Sequence, residues 1–493
     1  MNTTLGFEVF AGAGHMLTLV NTNMMQPPIG PIGLDYIATS VRQAGIELDI
    51  VDLCLSDDPQ IALRSYFDSH NPELVGLSFR NVDDSFWPSA ESFLPKLAAT
   101  VGTIRTLTDA AIVIGGVGFS IFAEQILEYT GADFGVAGDG EQAIVSLLEQ
   151  IGSRRQFEKV AGLIWRDNGE IHFNKPVWHE PLSLPTSRDA IDNLAYFNRG
   201  GQCGIETKRG CNRRCIYCAD SLSKGTALRL RRPHEVADEV ETLLAARIDV
   251  FHLCDSEFNV PGAHALAICE EFNRRRLGDR MRWYTYMAVV PFDNELAEAM
   301  SRAGCVGIDF TGDSASPLML RTYRQKHLVA DIASAVRLCR THGITVMIDL
   351  LLGGPGETPE TAAETIEFIR HIEPDCAGAA LGVRVYPGTE MGRIVAAEGR
   401  AESNPNIRRN YTGPVNLLKP TFYISRELGE KPARLIKDII AGDKRFFEPM
   451  EQTPAETQLS TDHNYNDNTR LLELINSGAR GAYWDMLRRI TGK

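Results

Sequence analysis

The sequence predicts an α/β protein made of two wound halves: a doubly wound parallel sheet, then a partial (β/α)6 barrel, with a mostly helical cap at the end. Three observations predict it. Short apolar runs alternate with helical patterns from residue 16 to 152, the signature of a parallel sheet covered on both faces. A second alternation, of six strand and helix patterns, runs from 203 to 392, as a barrel or partial barrel requires. The last hundred residues drop the alternation and are polar and helical in pattern. Phe422-Tyr423, Phe446-Phe447 and Tyr483-Trp484 are their aromatic clusters, read as packing.

Residues 1–150 form the first unit, with strands MLTLV, ELDIVDL, LVGLSF, AIVIGG and DFGVAG. The helix PIGLDYIATSVRQAG stops on Gly45, as helices commonly do. Ligands on such sheets sit at the carboxyl ends of the strands. Those ends read Ser78-Phe79-Arg80-Asn81, Gly115-Gly116-Val117-Gly118 and Gly138-Asp139-Gly140-Glu141. The glycines let a large, flat or phosphate-bearing ligand approach the backbone. Tight turns with no ligand fit the same pattern equally well.

Residues 151–202 read as a connector, with a hairpin at Asp167-Asn168-Gly169 and a Pro-bearing linker, PVWHEPLSLPTSRDA. Residues 203–392 carry the barrel strands GIETKRG, VFHLCD, RWYTYMAV, VGIDFTG, TVMIDLLLGG and GAALGVRVYPG. Of Tyr284 and Tyr286 on the third strand, one is expected to face the barrel mouth and the other outward. Cys254 reads as core, and Tyr323 and His327 as loop residues facing solvent. Asp349, a charge in an apolar strand, is either paired in the core or near a site. Residues 393–493 are the cap.

At ~150 residues per domain, 493 residues suggest about three units. Apolar residues make up 44% and charged residues 23%, which excludes a mainly disordered chain. The net charge of −14, from 50 basic and 64 acidic residues, argues against nucleic-acid and anionic-membrane partners. No apolar run reaches the ~18 residues of a bilayer span. MNTTLGFEVFAGAG lacks the basic and apolar regions of a secretory signal. A cytoplasmic location is expected. There the ten cysteines are not a disulfide framework.

The sharpest chemical signal is Cys211-Asn212-Arg213-Arg214-Cys215-Ile216-Tyr217-Cys218, spaced C-x3-C-x2-C. Three thiolates on one loop hold three irons of a [4Fe–4S] cube, leaving the fourth iron open. Zinc needs a fourth Cys or His nearby, and Cys203 lies too far upstream along a strand to serve easily.

With that loop, an aromatic before its last Cys, the sequence resembles the radical S-adenosylmethionine (SAM) enzymes. The resemblance implies that Cys211, Cys215 and Cys218 bind the cluster beside Tyr217, and that SAM chelates the open iron. Four further segments agree, in order. Cys254-Asp255-Ser256-Glu257 closes the second strand, where the family binds the SAM amine. Gly312-Asp313-Ser314-Ala315-Ser316 resembles the ribose segment, with Asp313 in place of glutamate. Leu352-Gly353-Gly354-Pro355-Gly356-Glu357-Thr358 matches the fifth-strand turn. Val385-Tyr386-Pro387-Gly388-Thr389 matches the sixth, with Tyr386 near the adenine. Glu257 is also a candidate catalytic base.

A Rossmann-like domain ahead of such a barrel resembles the cobalamin-dependent class of the family. Pro27-Pro28-Ile29-Gly30-Pro31-Ile32-Gly33-Leu34-Asp35-Tyr36-Ile37-Ala38 is similar to its P-P-x-G-L-x-Y-x-A segment, with an insertion. The resemblance implies corrin contacts from Ser78, Arg80, Asn81, Gly115, Gly116, Val117, Gly118, Gly138, Asp139 and Glu141. The D-x-H-x-x-G motif that supplies a lower histidine is missing, and His15 has no such frame. Arg80 is the candidate for the lower face of cobalt. An arginine lies there in the family's tryptophan-methylating subgroup, and a protonated guanidinium offers no lone pair.

The implied activity is methyl transfer from SAM through cob(I)alamin and methylcobalamin to a carbon of a small-molecule or carrier-bound substrate. The expected acceptor is an aromatic heterocycle, a pyrrole or indole, in specialised metabolism such as antibiotic biosynthesis. The chain is similar to the tryptophan 2-C-methyltransferases and to the pyrrole C-methyltransferases of aminocoumarin assembly. An electron donor such as flavodoxin or ferredoxin is implied. The alternatives are a cobalamin-dependent radical SAM cyclase or rearrangement enzyme, a sulfur-inserting enzyme, and a corrinoid carrier. Only Cys54 precedes residue 203, against the extra N-terminal cluster cysteines of sulfur insertion; the cluster loop argues against a carrier.

Overall fold

The computed structural model describes residues 16–152, 155–451 and 464–491. His15, considered above as a cobalt ligand, lies outside the described residues. The first sheet holds β1 (Met16–Asn21), β2 (Glu47–Asp52), β3 (Leu74–Ser78), β4 (Ala111–Gly115), β5 (Phe134–Val136), β6 (Leu163–Asp167) and β7 (Glu170–Phe173). Their order is β2-β1-β3-β4-β5-β6-β7. The first five strands run parallel. The hairpin expected in the connector is β6–β7. It adds antiparallel to β5, so the sheet continues to Phe173.

Strand alternation builds two cores on this sheet. Leu17, Leu19 and Val113 face the helices Ile32–Gln43 and Glu141–Ile151. Val20, Ile112 and Ile114 face Pro59–Phe67 and Leu94–Leu107. The order reverses between β1 and β3, which opens a crevice at their carboxyl ends.

The second sheet begins with β8 (Cys203–Ile205). The segment read as one strand, GIETKRG, breaks after β8; β9 (Lys208–Arg209) pairs antiparallel with β10 (Arg229–Leu230) instead. Then follow β11 (Val250–Leu253), β12 (Arg282–Ala288), β13 (Cys305–Asp313), β14 (Thr345–Leu352) and β15 (Cys376–Leu381). Gly382, at φ +98°, ends β15. A small sheet then forms from β16 (Val383–Arg384), β17 (Ile407–Arg408) and β18 (Phe422–Tyr423). The cap also gives a seventh barrel strand, β19 (Phe446–Phe447), in the order β19-β15-β14-β13-β12-β11-β8. This sheet is parallel throughout. Helices follow the strands on cue: Pro359–Ile372 starts with Pro at its first turn and a capping box at Thr358.

Register stacks the barrel interior in layers. His252, Tyr284 and Gly307 lie level. Above them lie Tyr286, Asp309, Met347 and Cys376, and then Thr311, Asp349 and Gly378. Tyr284 and Tyr286 therefore share a face, as residues two apart must. Tyr284 donates to Asp485 Oδ2 of the C-terminal helix (2.9 Å).

The two halves are joined by buried charge. Arg188 Nε donates to Asp35 Oδ2 of the first half (2.7 Å), and its Nη1 donates to Glu239 Oε1 of the barrel (2.7 Å). Glu239 also accepts from Arg231 (2.6 Å) and from Tyr36 of the first half (2.8 Å). The Arg188 side chain is 1% exposed. Removing one partner from such a network strands the others' charge, at a cost of ~3–5 kcal/mol. Arg188→Ala is therefore expected to lower the urea midpoint by that free energy divided by the m-value. A midpoint within error of wild type would show that the pairing adds nothing.

Candidate functional site

A cavity of about 580 Å³ lies between the crevice of the first sheet and barrel strands β8 and β11. Leu19, Val113, Val136 and Ile144 give it an apolar recess between the strands and helix Glu141–Ile151. Gly33 borders it with no atom within 4 Å of an added Cβ, so the space reaches the backbone. Backbone access, an apolar recess and polar strand ends suit a broad, flat ligand with an appended group, and so fit a corrinoid.

Ser78, Arg80, Asn81, Gly115, Gly116, Val117, Gly138, Asp139 and Glu141 all line this cavity. Gly118 does not. Its N–H donates to Phe79 O (3.1 Å) and Arg80 O (2.8 Å), which fixes the turn behind the wall. Gly116 stands at φ +109°, where an added Cβ would lie 2.5 Å from Phe79 O. The carboxylates of Asp139 and Glu141 turn to the barrel: Arg209 meets Asp139 at 3.2 Å and Glu141 at 2.8 Å, and Arg229 also pairs with Asp139. They anchor this turn to the barrel half rather than offer free acceptors. Among the described residues, the Arg80 guanidinium has no hydrogen-bond or ion-pair partner.

The three-cysteine loop follows β9 directly. Gly210, at φ +88°, allows the approach; a Cβ there would fall 1.9 Å from Ala227 O. Cys211 N–H donates to Gly225 O (3.1 Å) and Cys218 N–H to Cys215 O (3.4 Å). Tyr217 OH donates to Asp313 Oδ2 (2.7 Å). Gln325 Nε2 donates to Cys215 Sγ (3.4 Å), to Tyr217 OH (3.2 Å) and to Asp313. All three thiols are free. Burial pushes Cys215 up to about 12 and raises Cys211 and Cys218 as well. Iron ligation therefore releases protons here. Among the described residues, no three His, Cys, Asp or Glu side chains converge on one point as a single ion requires. A cube takes one thiolate per iron, so a loop of this donor set fits it without such convergence.

The residues expected at SAM divide into two groups. Glu257 Oε1 accepts from Thr311 Oγ1 (3.2 Å), while its buried Oε2 has no partner among the described residues. Burial pushes this carboxyl up to about 8. Asp313, at φ +54°, is pushed up to about 7 by burial despite the Tyr217 and Gln325 bonds. Gly354 is required by its neighbour: a Cβ would sit 2.2 Å from Tyr323 OH, to which Gly354 N–H donates (3.1 Å). Ser256 donates to Asp220 beside the cluster loop.

Asp255, by contrast, is fully committed. Lys208 Nζ (2.9 Å) and the Thr207 N–H (2.8 Å) both donate to its carboxylate. Tyr386 spans the two halves, with its OH 2.9 Å from Ser85 Oγ and the Arg384 guanidinium 4.7 Å from its ring centre.

Some residues depart from the sequence expectation. Cys254 lines the cavity instead of the core. Tyr323 and His327 are buried, the first donating to Leu351 O (2.8 Å) and the second meeting Gly312 O (3.2 Å). Tyr483 and Trp484 form cavity wall as well as packing. His252, Tyr465 and Gln325 were not singled out in the sequence. Their only signal was a polar or aromatic residue on a barrel strand, after the fourth-strand turn or in the cap.

The family description "Radical SAM superfamily" matches residues 205–369 and "B12 binding domain" matches 20–148. Tryptophan 2-C-methyltransferase of Streptomyces laurentii is 27% identical over 95% of both chains. Cytidylyl-2-hydroxyethylphosphonate methyltransferase of Streptomyces wedmorensis is 24% identical over 86% of this chain and 88% of its own. The radical S-adenosylmethionine methyltransferase TsrM of Kitasatospora setae, solved with tryptophan substrate and an aza-SAM analogue, is 30% identical. It superposes with a TM-score of 0.89 over 97% of this chain and 98% of its own. With that likeness along its whole length, and both halves in the matching order, this chain belongs to the cobalamin-dependent radical SAM methyltransferases, whose cofactors are a [4Fe–4S] cluster, SAM and cobalamin.

Proposed function

We propose that the protein is a C-methyltransferase acting on a small aromatic heterocycle, an indole or pyrrole, in specialised metabolism. The observation that carries this is the cavity itself, which joins the corrin-side strand ends to the barrel interior. Its aromatic side chains Tyr286, Tyr465, Tyr483 and Trp484 suit a flat acceptor. The tryptophan-methylating relatives support an indole. Both curated relatives named above are methyltransferases, which favours methyl transfer over ring formation.

We assign the roles as follows. Cys211, Cys215 and Cys218 hold the cluster, and Gln325 donates to the Cys215 sulfur. Glu257, Ser256, Asp313, Gly354 and Tyr386 frame SAM, with Tyr217 bracing Asp313. Asp255 acts through Lys208 and Thr207 to hold the strand end. Ser78, Arg80, Asn81 and the 115–118 and 138–141 turns cradle the corrin. The corrin unit continues through the hairpin to Phe173. When bound, the cofactors supply a methyl carrier, a methyl donor and a one-electron centre. A low-potential donor such as flavodoxin or ferredoxin reduces them. Ten free thiols suit a reducing cytoplasm.

The test is methyl transfer by anaerobically reconstituted protein from methyl-labelled SAM to indole- and pyrrole-bearing acceptors, read by mass spectrometry. The expected result is labelled product with one methyl on a ring carbon. Acceptor turned over to a ring-closed product, with 5′-deoxyadenosine and no methyl gain, would overturn it.

A further inference from the structure

Barrel interiors are ordinarily filled by branched apolar side chains. This one carries acids. Asp309 lies level with Tyr286 on one neighbouring strand and with Met347 on the other. Asp349, two residues beyond Met347, points to the same side and pairs in register with Thr311. Thr311 in turn donates to Glu257. Three carboxyl groups therefore share two adjacent layers. Asp309 is 4% exposed, its Oδ1 is buried without a partner, and no cation pairs with it among the described residues. Lys208 is held by Asp255, and Arg209 by Asp139, Glu141 and Glu206; Arg80, unpaired across the cavity among the described residues, makes no ion pair with Asp309. A buried acceptor with nothing to accept from is costly. With no cation present, burial and Asp349 raise the Asp309 carboxyl well above the usual carboxylate range.

Asp309 lies just behind the cavity wall, next in register to a residue that forms it. Tyr286, beside Asp309, points into the barrel yet is 43% exposed, because it borders the cavity. Asp309 also lies four residues below Asp313, roughly 13 Å down the strand at ~3.3 Å per residue. It is thus below the layer of Tyr217, Gln325 and the cluster loop.

We propose that Asp309, with Asp349 beside it, forms a subsite for the cationic nitrogen of the methyl acceptor, so that the enzyme selects an amine-bearing heterocycle. An ammonium brings three donors and one positive charge, which supplies what Asp309 lacks. This rests on the acceptor class proposed above and adds to it the second group by which the acceptor is held. Charge-assisted bonds of this kind are strong and directional. Depth in the barrel assigns the cation to the acceptor rather than to the sulfonium of SAM.

The test is calorimetric binding to the reconstituted full chain, with L-tryptophan, tryptamine, indole-3-propionate and phenethylamine as probes and SAM as a separate titration. Wild type, Asp309→Asn and Asp309→Glu are compared. Tryptophan and tryptamine are expected to bind about 10- to 100-fold more tightly than indole-3-propionate. Asp309→Asn is expected to erase that difference, and Asp309→Glu to keep part of it. Equal binding with and without the amine, or an unchanged preference in Asp309→Asn, overturns the subsite and leaves the heterocycle reading intact. Loss of SAM binding in Asp309→Asn with tryptamine unaffected also overturns it, since the cation held is then the sulfonium. Asp309-dependent binding of phenethylamine with no binding of any indole supports the subsite and overturns the heterocycle. If wild type binds none of the four probes, both fall.

Discussion

Replacing Cys211, Cys215 and Cys218 together with alanine is expected to remove the cluster's visible absorption, its iron and its sulfide, and to reduce methyl transfer to background. The loop itself is expected to survive. Its shape is held by backbone bonds, Cys211 N–H to Gly225 O and Cys218 N–H to Cys215 O, and by Tyr217 on Asp313, none of which uses sulfur. Alanine also removes no charge: without iron the three buried thiols stay protonated, and only iron makes thiolates favourable there. Cobalamin binding should persist in the triple variant, because the corrin-side wall is built from the first sheet. The measurements are iron and sulfide analysis, the visible spectrum, and cobalamin retention on gel filtration. Full iron and sulfide in the triple variant would place the cluster on other residues.

What the sequence made legible was whatever depends on neighbours along the chain. The three-cysteine spacing, the Gly-Gly-Pro-Gly-Glu turn and the strand MLTLV, covered on both faces, are local patterns. Each appears in the structure where the pattern put it. What stayed hidden depends on partners far apart. Asp139 and Glu141 read as ligand acceptors because their true partners, Arg209 and Arg229, come some seventy to ninety residues later. Asp255 looked free for the same reason until Thr207 and Lys208 folded onto it. The C-terminal aromatics read as packing because nothing local shows that Tyr483 and Trp484 reach the cavity. The expectation that Tyr284 and Tyr286 face opposite ways was wrong for a different reason: residues two apart on a strand share a face, as the register shows.

Replacing Arg80 should change the cobalt without disturbing the cluster. Arg80 follows β3 at the crevice and lines the cavity. A surface salt bridge would have given it a bland role, but no ion pair holds its guanidinium among the described residues. Its charge is felt instead by Cys254, Tyr286 and Tyr483 across the cavity. A guanidinium stays protonated and offers no lone pair. If it were held under cobalt, it would leave the lower position without a protein ligand, and its positive charge would favour the electron-rich reduced state. Among the described cavity-lining residues the only imidazole is His252. It stands on barrel strand β11, with its ring tilted 49° to that of Tyr286 at 4.7 Å between centres, and has Nδ1 3.2 Å from Leu253 O. Electron paramagnetic resonance of the wild-type cob(II)alamin form is thus expected to show no nitrogen splitting from the protein. Arg80→Ala and Arg80→Lys are expected to keep iron content and thermal stability, alter that spectrum, and slow methylation roughly 10- to 100-fold, the scale for groups that tune a metal from outside its ligand set. Lysine tests the shape of the charge, since it keeps the cation but loses the planar fork. A nitrogen triplet in wild type that vanishes in His252→Gln would give the lower position to His252. An unchanged cob(II)alamin spectrum with wild-type turnover in Arg80→Ala would make Arg80 structural, and would show that its charge does not tune the cobalt.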